Sequence, residues 1–340
     1  MPRRAAGRAT GGPTRRRTGG PAQPTSGPAQ PAGGPAQRAS RIAVTGSFGF
    51  TGRPLTERLL AAGHEVVTLS RRSGAGDLLA GRITVRPLDL ERADELRASL
   101  DGVETLFNTY WLRFPRAGAT FERAVARSAA LLAAAREAGV RRVVHVSVVN
   151  AAADAETPYV RAKAALESVV RSSGLEWAIV RPTLTYGPDD ILINNLAWAL
   201  RRLPVYGLPG LGRYTVQPVH VDDVARICVE AAAGPAGVTI DAAGPETMPY
   251  SELVDRVRTA IGSRSIVLPM PGLLVLAAAR ALGLVVRDVV LTHDEIRELT
   301  SSLLTSHEPP RGDIRISEWL PANADALGRR WSSELARNYR

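Results

Sequence analysis

Short β-branched runs alternate with segments of helical spacing along the chain from residue 41 onwards. The run Arg41–Thr45 leads straight into a glycine-rich turn, and the leucines that follow recur at helical spacing up to Gly63. Predicted strands lie at 41–45, 64–69, 83–85, 104–108, 141–149 and 177–180, and predicted helices at 53–62, 91–100, 121–138 and 158–173. This alternation predicts an α/β fold built on a doubly wound parallel sheet.

The pattern changes near residue 244, after which the chain is predicted to be mainly helical. We predict an α/β domain at 41–243, with an insertion near 187–218, and a smaller C-terminal substrate lobe at 244–340. Segment 271–286 is unusually apolar and contains one charge, Arg280. We expect this segment to be buried, with the face of a homodimer or a membrane surface as alternatives.

Charge is concentrated at the N-terminus. The 340 residues carry a net charge of +10, and residues 1–40 contain seven arginines and no acid. The same stretch repeats Gly-Pro-Ala-Gln three times, which predicts a disordered tail because such residues bury little apolar surface. The rest of the chain is therefore only mildly basic, and we expect no specific nucleic-acid partner.

Other features of the composition exclude several classes of protein. Cys228 is the single cysteine, which rules out a disulfide framework and argues against a structural metal site. The longest apolar run is shorter than the roughly 20 residues of a membrane span. These features predict a cytoplasmic chain of ordinary globular composition without a transmembrane segment.

The glycine-rich turn after the first strand has the spacing of a dinucleotide-binding loop. A strand, this turn and a helix form the unit in which the helix N-terminus accepts a pyrophosphate. The second strand ends at Arg71 and Arg72, with no acid to bind a ribose hydroxyl, so NADP is favoured over NAD. The predicted loop comprises Gly46, Ser47, Phe48, Gly49, Phe50, Thr51 and Gly52.

Tyr159 and Lys163 form the strongest catalytic pair in the sequence. They lie four residues apart at the start of a predicted helix, so both side chains share one face. Lys163 is the only lysine, whereas the chain uses arginine everywhere else. We expect the ammonium to lower the pKa of the Tyr159 phenol and to prepare it as a general acid or base.

With these motifs the sequence resembles the extended or atypical short-chain dehydrogenase/reductase superfamily. The matching motifs are Thr45-Gly46-x-x-Gly49-x-x-Gly52, Asp89-Leu90, Tyr159-x-x-x-Lys163, Arg181-Pro182, Tyr186-Gly187-Pro188 and Pro218-Val219-His220-Val221-Asp222-Asp223. The sequence is similar to the epimerase/dehydratase and NmrA-like branches, and to the nucleotide-binding accessory subunit of respiratory complex I. The resemblance implies a Rossmann domain with further cofactor contacts from Asp89, Leu90, Asn108, Thr109, Pro182, Thr183 and Leu184.

The sequence departs from this family beside the predicted catalytic pair. Ser147 is the best candidate to polarise a substrate carbonyl, but two valines follow it where the family has more hydroxyl residues, so Asn150 is a second candidate. Bulky side chains follow the fourth strand, where the family has small ones. The predicted substrate contacts are Tyr110, Trp111, Arg113, Asn194 and Asn195.

Three functions remain open from the sequence. The first is an NADP(H)-dependent oxidoreductase that acts on a carbonyl or hydroxyl of a small molecule. The second uses the same site for epimerisation or dehydration of a nucleotide sugar. The third is a non-catalytic NADPH-binding scaffold or redox sensor.

Overall fold

The computed structural model describes residues 39–338, so the predicted tail at 1–40 lies outside the described residues except for its last two. Strands and helices alternate through the first two thirds of this range. The strands are β1 Arg41–Thr45, β2 Glu65–Ser70, β3 Thr84–Pro87, β4 Thr105–Asn108, β5 Arg142–Val146, β6 Glu176–Pro182, β7 Leu184–Tyr186, β8 Val205–Pro209, β9 Thr215–Val216, β10 Pro218–His220, β11 Val238–Ala242, β12 Met248–Pro249 and β13 Ile266–Met270. The helices are α1 Gly52–Ala61, α2 Ala93–Ser99, α3 Phe121–Glu137, α4 Pro158–Arg171, α5 Leu192–Arg202, α6 Val221–Ala233, α7 Tyr250–Ala260, α8 Gly272–Val286, α9 His293–Thr300, α10 Ile316–Asn323 and α11 Glu334–Asn338.

Seven parallel strands form the central sheet, in the order β11-β6-β5-β4-β1-β2-β3. The strand order reverses between β1 and β4, where Val44 pairs with Thr68 on one side and with Phe107 on the other. Ligands of such sheets bind at the carboxyl ends of the strands beside this reversal. The arrangement confirms the predicted doubly wound α/β fold.

Helices cover both faces of the sheet, which explains why its strands are apolar on both sides. α1 and α6 pack on one face around Val44, Leu55 and Val224. α2, α3 and α4 pack on the other face around Leu106 and Leu131. A fully buried side chain of this kind stabilises the fold by roughly 1.5–3 kcal/mol relative to exposure.

A third apolar cluster lies outside the central sheet and combines the segment after β6 with the C-terminal part of the chain. It contains Tyr186, Leu196, Leu253 and Leu320. The predicted division of the chain at 243 and 244 falls between β11 and β12 and stays a prediction.

Segment 271–286, which we expected to be buried, is buried on one side only. This segment forms α8, which buries Val275, Leu276 and Ala279 but exposes leucines and a valine on its outer side. The sequence pattern left this open because α8 is apolar on nearly every face. In residues 39–338, no helix has both the length and the apolar character that crossing a membrane requires.

Candidate active site

The loop between β1 and α1 depends on its glycines. Gly46 has a φ of +73°, which only glycine adopts readily. Any Cβ on Gly52 would lie 2.1 Å from the carbonyl oxygen of Gly46, so a side chain there is excluded. The backbone of Gly49 donates to the same oxygen at 2.8 Å. These contacts bring the N-terminus of α1 up against the end of β1.

The loop leaves backbone donors available for an anion. No acceptor among residues 39–338 takes the N–H groups of Phe48, Phe50 and Thr51. The buried hydroxyl of Ser47 instead accepts from Thr56 at 2.8 Å and fixes the loop to α1. Free N–H groups at a helix N-terminus fit a pyrophosphate, so the site fits a dinucleotide cofactor.

Arg71 and Arg72 follow β2 and are exposed, at the edge of the loop. The Arg72 backbone N–H donates to the Ser70 hydroxyl at 2.9 Å, which fixes the turn. Neither guanidinium forms an ion pair with a described carboxylate. Both are therefore available to an anionic group at this end of the site.

A hydrogen-bond network joins the ends of β1 and β4. The hydroxyl of Thr45 accepts from the backbone of Thr109 at 2.8 Å and lies 3.4 Å from the Asn108 side chain. The Asn108 amide also lies 3.3 Å from His145 on β5, whose burial lowers the pKa of that imidazole to about 3. The side chains of Thr45, Asn108 and His145 thus contact one another within the sheet. Of the four residues in this network, Thr109 is the one that lines the cavity.

A cavity of about 730 Å³ opens at the carboxyl ends of the strands. It lies between the sheet and the segment from Val289 to Leu304. The predicted site residues that line it are Phe50, Thr51, Thr109, Trp111, Arg113, Ser147, Tyr159, Lys163, Pro182, Thr183 and Leu184.

Three aromatic rings form one wall of this cavity. The Trp111 ring stacks on Phe121 at 5.9 Å between centroids, and Tyr159 meets both rings edge-on at about 6 Å. The Nζ atom of Lys163 lies 4.4 Å from the centre of the Trp111 ring and donates to the Val146 carbonyl at 3.2 Å. The bulky residues after β4 therefore lie directly beside the predicted catalytic pair.

Burial dominates the ionisation of this pair. Burial lowers the pKa of the Lys163 amine to about 7, although the negative charge of Glu167 acts to raise it. The pKa of the Tyr159 phenol is raised by burial and then by the charges of Glu298 and Glu295, with Arg113 opposing them. The expectation that Lys163 lowers the pKa of Tyr159 is therefore wrong, because desolvation dominates this pKa and the charge that opposes it is that of Arg113.

Ser147 contacts a buried carboxylate. Its hydroxyl donates to Glu167 at 2.7 Å, and Arg181 donates to the same carboxylate at 2.6 and 2.8 Å. Burial alone would raise the pKa of Glu167, but the hydrogen bonds from Arg181 and Ser147 bring it below its ordinary value. This network joins β5, α4 and β6. Because the Ser147 hydroxyl donates its proton to Glu167, it has no second proton to donate to a substrate.

Three predicted site asparagines bind backbone of the C-terminal part of the chain. The Asn150 amide donates to the carbonyls of Leu303 and Thr305, each at 2.8 Å. The Asn194 amide donates to the Arg330 carbonyl at 2.9 Å, and Asn195 exchanges two bonds with Ser332. None of these asparagines lines the cavity, nor does Tyr110. Their partners lie more than 130 residues away, so local sequence gave no sign of them.

The segment that covers the cavity adds charged groups that the sequence did not reveal. Arg113 pairs with Glu295 on α9 and lies 3.8 Å from Glu334. Glu298 lines the cavity one turn further on, and its Oε1 atom is buried without a hydrogen-bond partner in the described chain. Burial raises the pKa of Glu298 to about 7, although the Thr157 hydroxyl opposes this.

Comparison with known proteins identifies the class. The chain matches the family of NAD(P)H-binding proteins over residues 46–235 and therefore belongs to it. It is 28% identical to a mitochondrial NADH dehydrogenase (ubiquinone) 1 alpha subcomplex subunit 9 from Arabidopsis thaliana, over 77% of this chain and 70% of that protein. The family match and this relative confirm the resemblance to NAD(P)-binding proteins of the extended or atypical short-chain dehydrogenase/reductase type, among them the accessory subunit of respiratory complex I.

Two solved structures share the fold. Triphenylmethane reductase from Citrobacter sp., complexed with NADP(H), has a TM-score of 0.67 at 18% identity and covers 84% of this chain and 99% of its own. UDP-N-acetylglucosamine 4-epimerase from Bacillus cereus has a TM-score of 0.62 at 17% identity and covers 86% of this chain and 98% of its own. The fold is thus one used by both reductases and epimerases.

Proposed function

We propose that the chain is an NADP(H)-dependent oxidoreductase that reduces the carbonyl of a small molecule in the cleft. The observation that carries this proposal is the Tyr159 phenol, which lines the cavity and has a raised pKa. The phenol is protonated at neutral pH, and a protonated phenol can donate to a carbonyl oxygen as the carbon accepts a hydride.

The cofactor would lie along the carboxyl ends of the strands. We assign the pyrophosphate to the N–H groups of the loop at 46–52 and the 2′-phosphate to Arg71 and Arg72. Asp89 and Leu90 would contact the adenine, and residues 182–184 would pass the nicotinamide, as the family resemblance implies. Thr109 lines the cavity and would also contact the cofactor, whereas Asn108 would support this end of the site from within the sheet. When bound, reduced NADP supplies a hydride for the carbonyl carbon.

The residues of the chain then supply the proton and the surroundings of the reaction. Tyr159 donates its proton to the carbonyl oxygen as the carbon accepts the hydride, and it recovers a proton from solvent. Trp111 and Phe121 form an apolar wall that excludes water, and Arg113 and Trp111 contact the substrate. Lys163 orients the ribose; Ser147 supports the strand end through Glu167 and does not contact the substrate.

Turnover measured with a matched pair of tyrosine variants tests this proposal. Tyr159→Phe should lower kcat for NADPH-dependent carbonyl reduction by roughly 10²–10⁴-fold and leave NADPH affinity nearly unchanged. Tyr214→Phe is the control, because that hydroxyl is buried without a partner among the described residues and lies outside the cavity. Equal turnover of wild type and Tyr159→Phe would contradict the proposed mechanism.

A non-catalytic NADPH-binding subunit is the second candidate. The observation that favours it is that Ser147 and Asn150, the two predicted carbonyl-polarising groups, are both committed to other parts of the chain. Its prediction is tight NADPH binding without turnover of any carbonyl. Epimerisation of a nucleotide sugar, by contrast, predicts product formation without net consumption of NADPH.

A further inference from the structure

The outer face of α8 is an apolar stripe. Leu273, Leu274, Leu284 and Val285 expose 75%, 58%, 84% and 77% of their surface. They recur at the spacing of a single helix face, with exposed Ala277 and Ala281 between them. We call these six residues the α8 stripe. Contiguous exposed apolar surface of this kind marks an interaction site.

Arginines border the α8 stripe on one side. Arg280 lies seven residues after Leu273 and four before Leu284, so it flanks the stripe, and Arg287 follows the end of the helix. Both arginines and Arg116 line a second cavity, of about 690 Å³. We call this cavity the arginine groove.

The positive charge of the arginine groove is only partly balanced within residues 39–338. Asp288 is the one described carboxylate that lines the groove, against three arginines, and it accepts from the Trp331 indole and from the backbone of Glu334, each at 2.9 Å. None of the three arginines forms an ion pair with a described carboxylate. Segment 261–287 contains three arginines and no acid. The groove therefore suits an anionic partner.

We propose that the α8 stripe and the arginine groove dock the chain on the surface of an anionic phospholipid bilayer. The leucines would enter the boundary between headgroups and acyl chains, and the arginines would contact lipid phosphates. A two-fold contact with a second copy through the same stripe would bring two cationic borders together, which disfavours that occupant. The groove shares Arg116 and Thr292 with the catalytic cavity, so docking holds that cavity beside the bilayer.

Cosedimentation of the full chain with lipid vesicles tests the docking surface. We expect binding to vesicles that contain phosphatidylglycerol, weak binding to pure phosphatidylcholine, and loss of binding in high salt. Arg280→Gln with Arg287→Gln should weaken binding roughly fivefold per arginine. Leu273→Ser with Leu284→Ser should abolish it, since these leucines supply the buried apolar surface.

Matched variants separate docking from general charge and folding effects. Arg82→Gln with Arg97→Gln removes the same charge from other exposed positions, and Leu78→Ser removes another exposed leucine. These controls should bind vesicles like wild type, and every variant should keep its melting temperature and NADPH affinity. Absence of binding to anionic vesicles would overturn the proposal. Equal weakening of vesicle binding by the control arginine variants would also overturn it. The same holds if light scattering shows a dimer that the α8 leucine variants dissociate.

Discussion

Lys163 is the only lysine of the chain, and its amine is buried against Trp111 at the bottom of the cleft. Burial lowers the pKa of this amine to about 7, so it is charged below neutral pH and largely neutral above it. The group therefore changes charge in the range in which the proposed reaction operates, which an arginine could not do.

The pKa of Lys163 can be measured directly because no other lysine interferes. Biosynthetic labelling with ¹³C-lysine gives one lysine signal, which Lys163→Arg removes, and its chemical shift is followed against pH by NMR. We expect a midpoint near 7. A midpoint near the ordinary lysine value of about 10.4 would show that the amine is solvated.

Gly52 gives a prediction about the cofactor loop. Gly52→Ala places a Cβ 2.1 Å from the Gly46 carbonyl oxygen, so α1 must move away from β1. We expect a loss of about 1–3 kcal/mol in the free energy of unfolding and weaker NADPH binding. Gly272→Ala, at the first residue of α8, is the control, because its Cβ meets only Ile296 at an ordinary 3.5 Å. Equal effects of the two variants would refute the packing argument.

The raised pKa of Glu298 leads us to expect that the stability of the protein depends on pH. Its folded-state pKa of about 7 lies above the ordinary value, so the folded state binds the proton more tightly, and stability falls as pH rises from about 4.5 towards 7. Glu298→Gln removes this loss. On going from pH 5 to pH 8, the free energy of unfolding of the variant should therefore rise by on the order of 1 kcal/mol relative to that of wild type. Urea unfolding at both pH values measures this difference. The same change with pH in both proteins would show that the pKa of Glu298 is not raised on folding.

At the scale of elements, the turn after β5 is held to the segment at 303–305. Asn150 has a φ of +57° and donates two hydrogen bonds to that segment. The segment completes the cover of the catalytic cavity, since Leu303 and Leu304 line it. Asn150 thus acts on the site by positioning its cover.

Two variants of Asn150 separate its hydrogen bonds from its backbone conformation. Asn150→Gly keeps the left-handed backbone and loses both bonds, which should cost about 1–3 kcal/mol in urea unfolding. Asn150→Ala loses the same bonds and adds the strain of the left-handed region, roughly 1 kcal/mol more. Alanine as stable as glycine at this position would show that the turn relaxes to another conformation.

The elements differ in how far local sequence determines them. β-branched runs such as Arg41–Thr45 predict the parallel strands because both faces of the sheet are buried. The exposure of α8 could not be predicted, since an apolar helix fits a core as well as an interface. The roles of Asn150 and Asn194 depend on partners distant in the chain. Tyr159 and Lys163 were found by spacing, but their pKa shifts depend on burial that the sequence does not contain.

At the scale of the whole molecule, the central sheet places the glycine loop, the arginine pair after β2 and the aromatic wall along one edge. Membership of the NAD(P)H-binding family follows from residues 46–235. The proposed preference for NADP rests on Arg71 and Arg72, which are exposed and form no ion pair with a described residue. The proposed reaction requires this cofactor, since reduced NADP supplies the hydride.

Calorimetric titration of the full chain with NADPH and with NADH tests that assignment most directly. We predict one site per chain that binds NADPH at least about tenfold more tightly than NADH, since a charge-assisted contact to phosphate contributes roughly 1.5–3 kcal/mol. Arg71→Gln with Arg72→Gln should remove the difference and leave NADH binding unchanged. Equal affinity of wild type for both nucleotides, or binding of neither, would contradict the account.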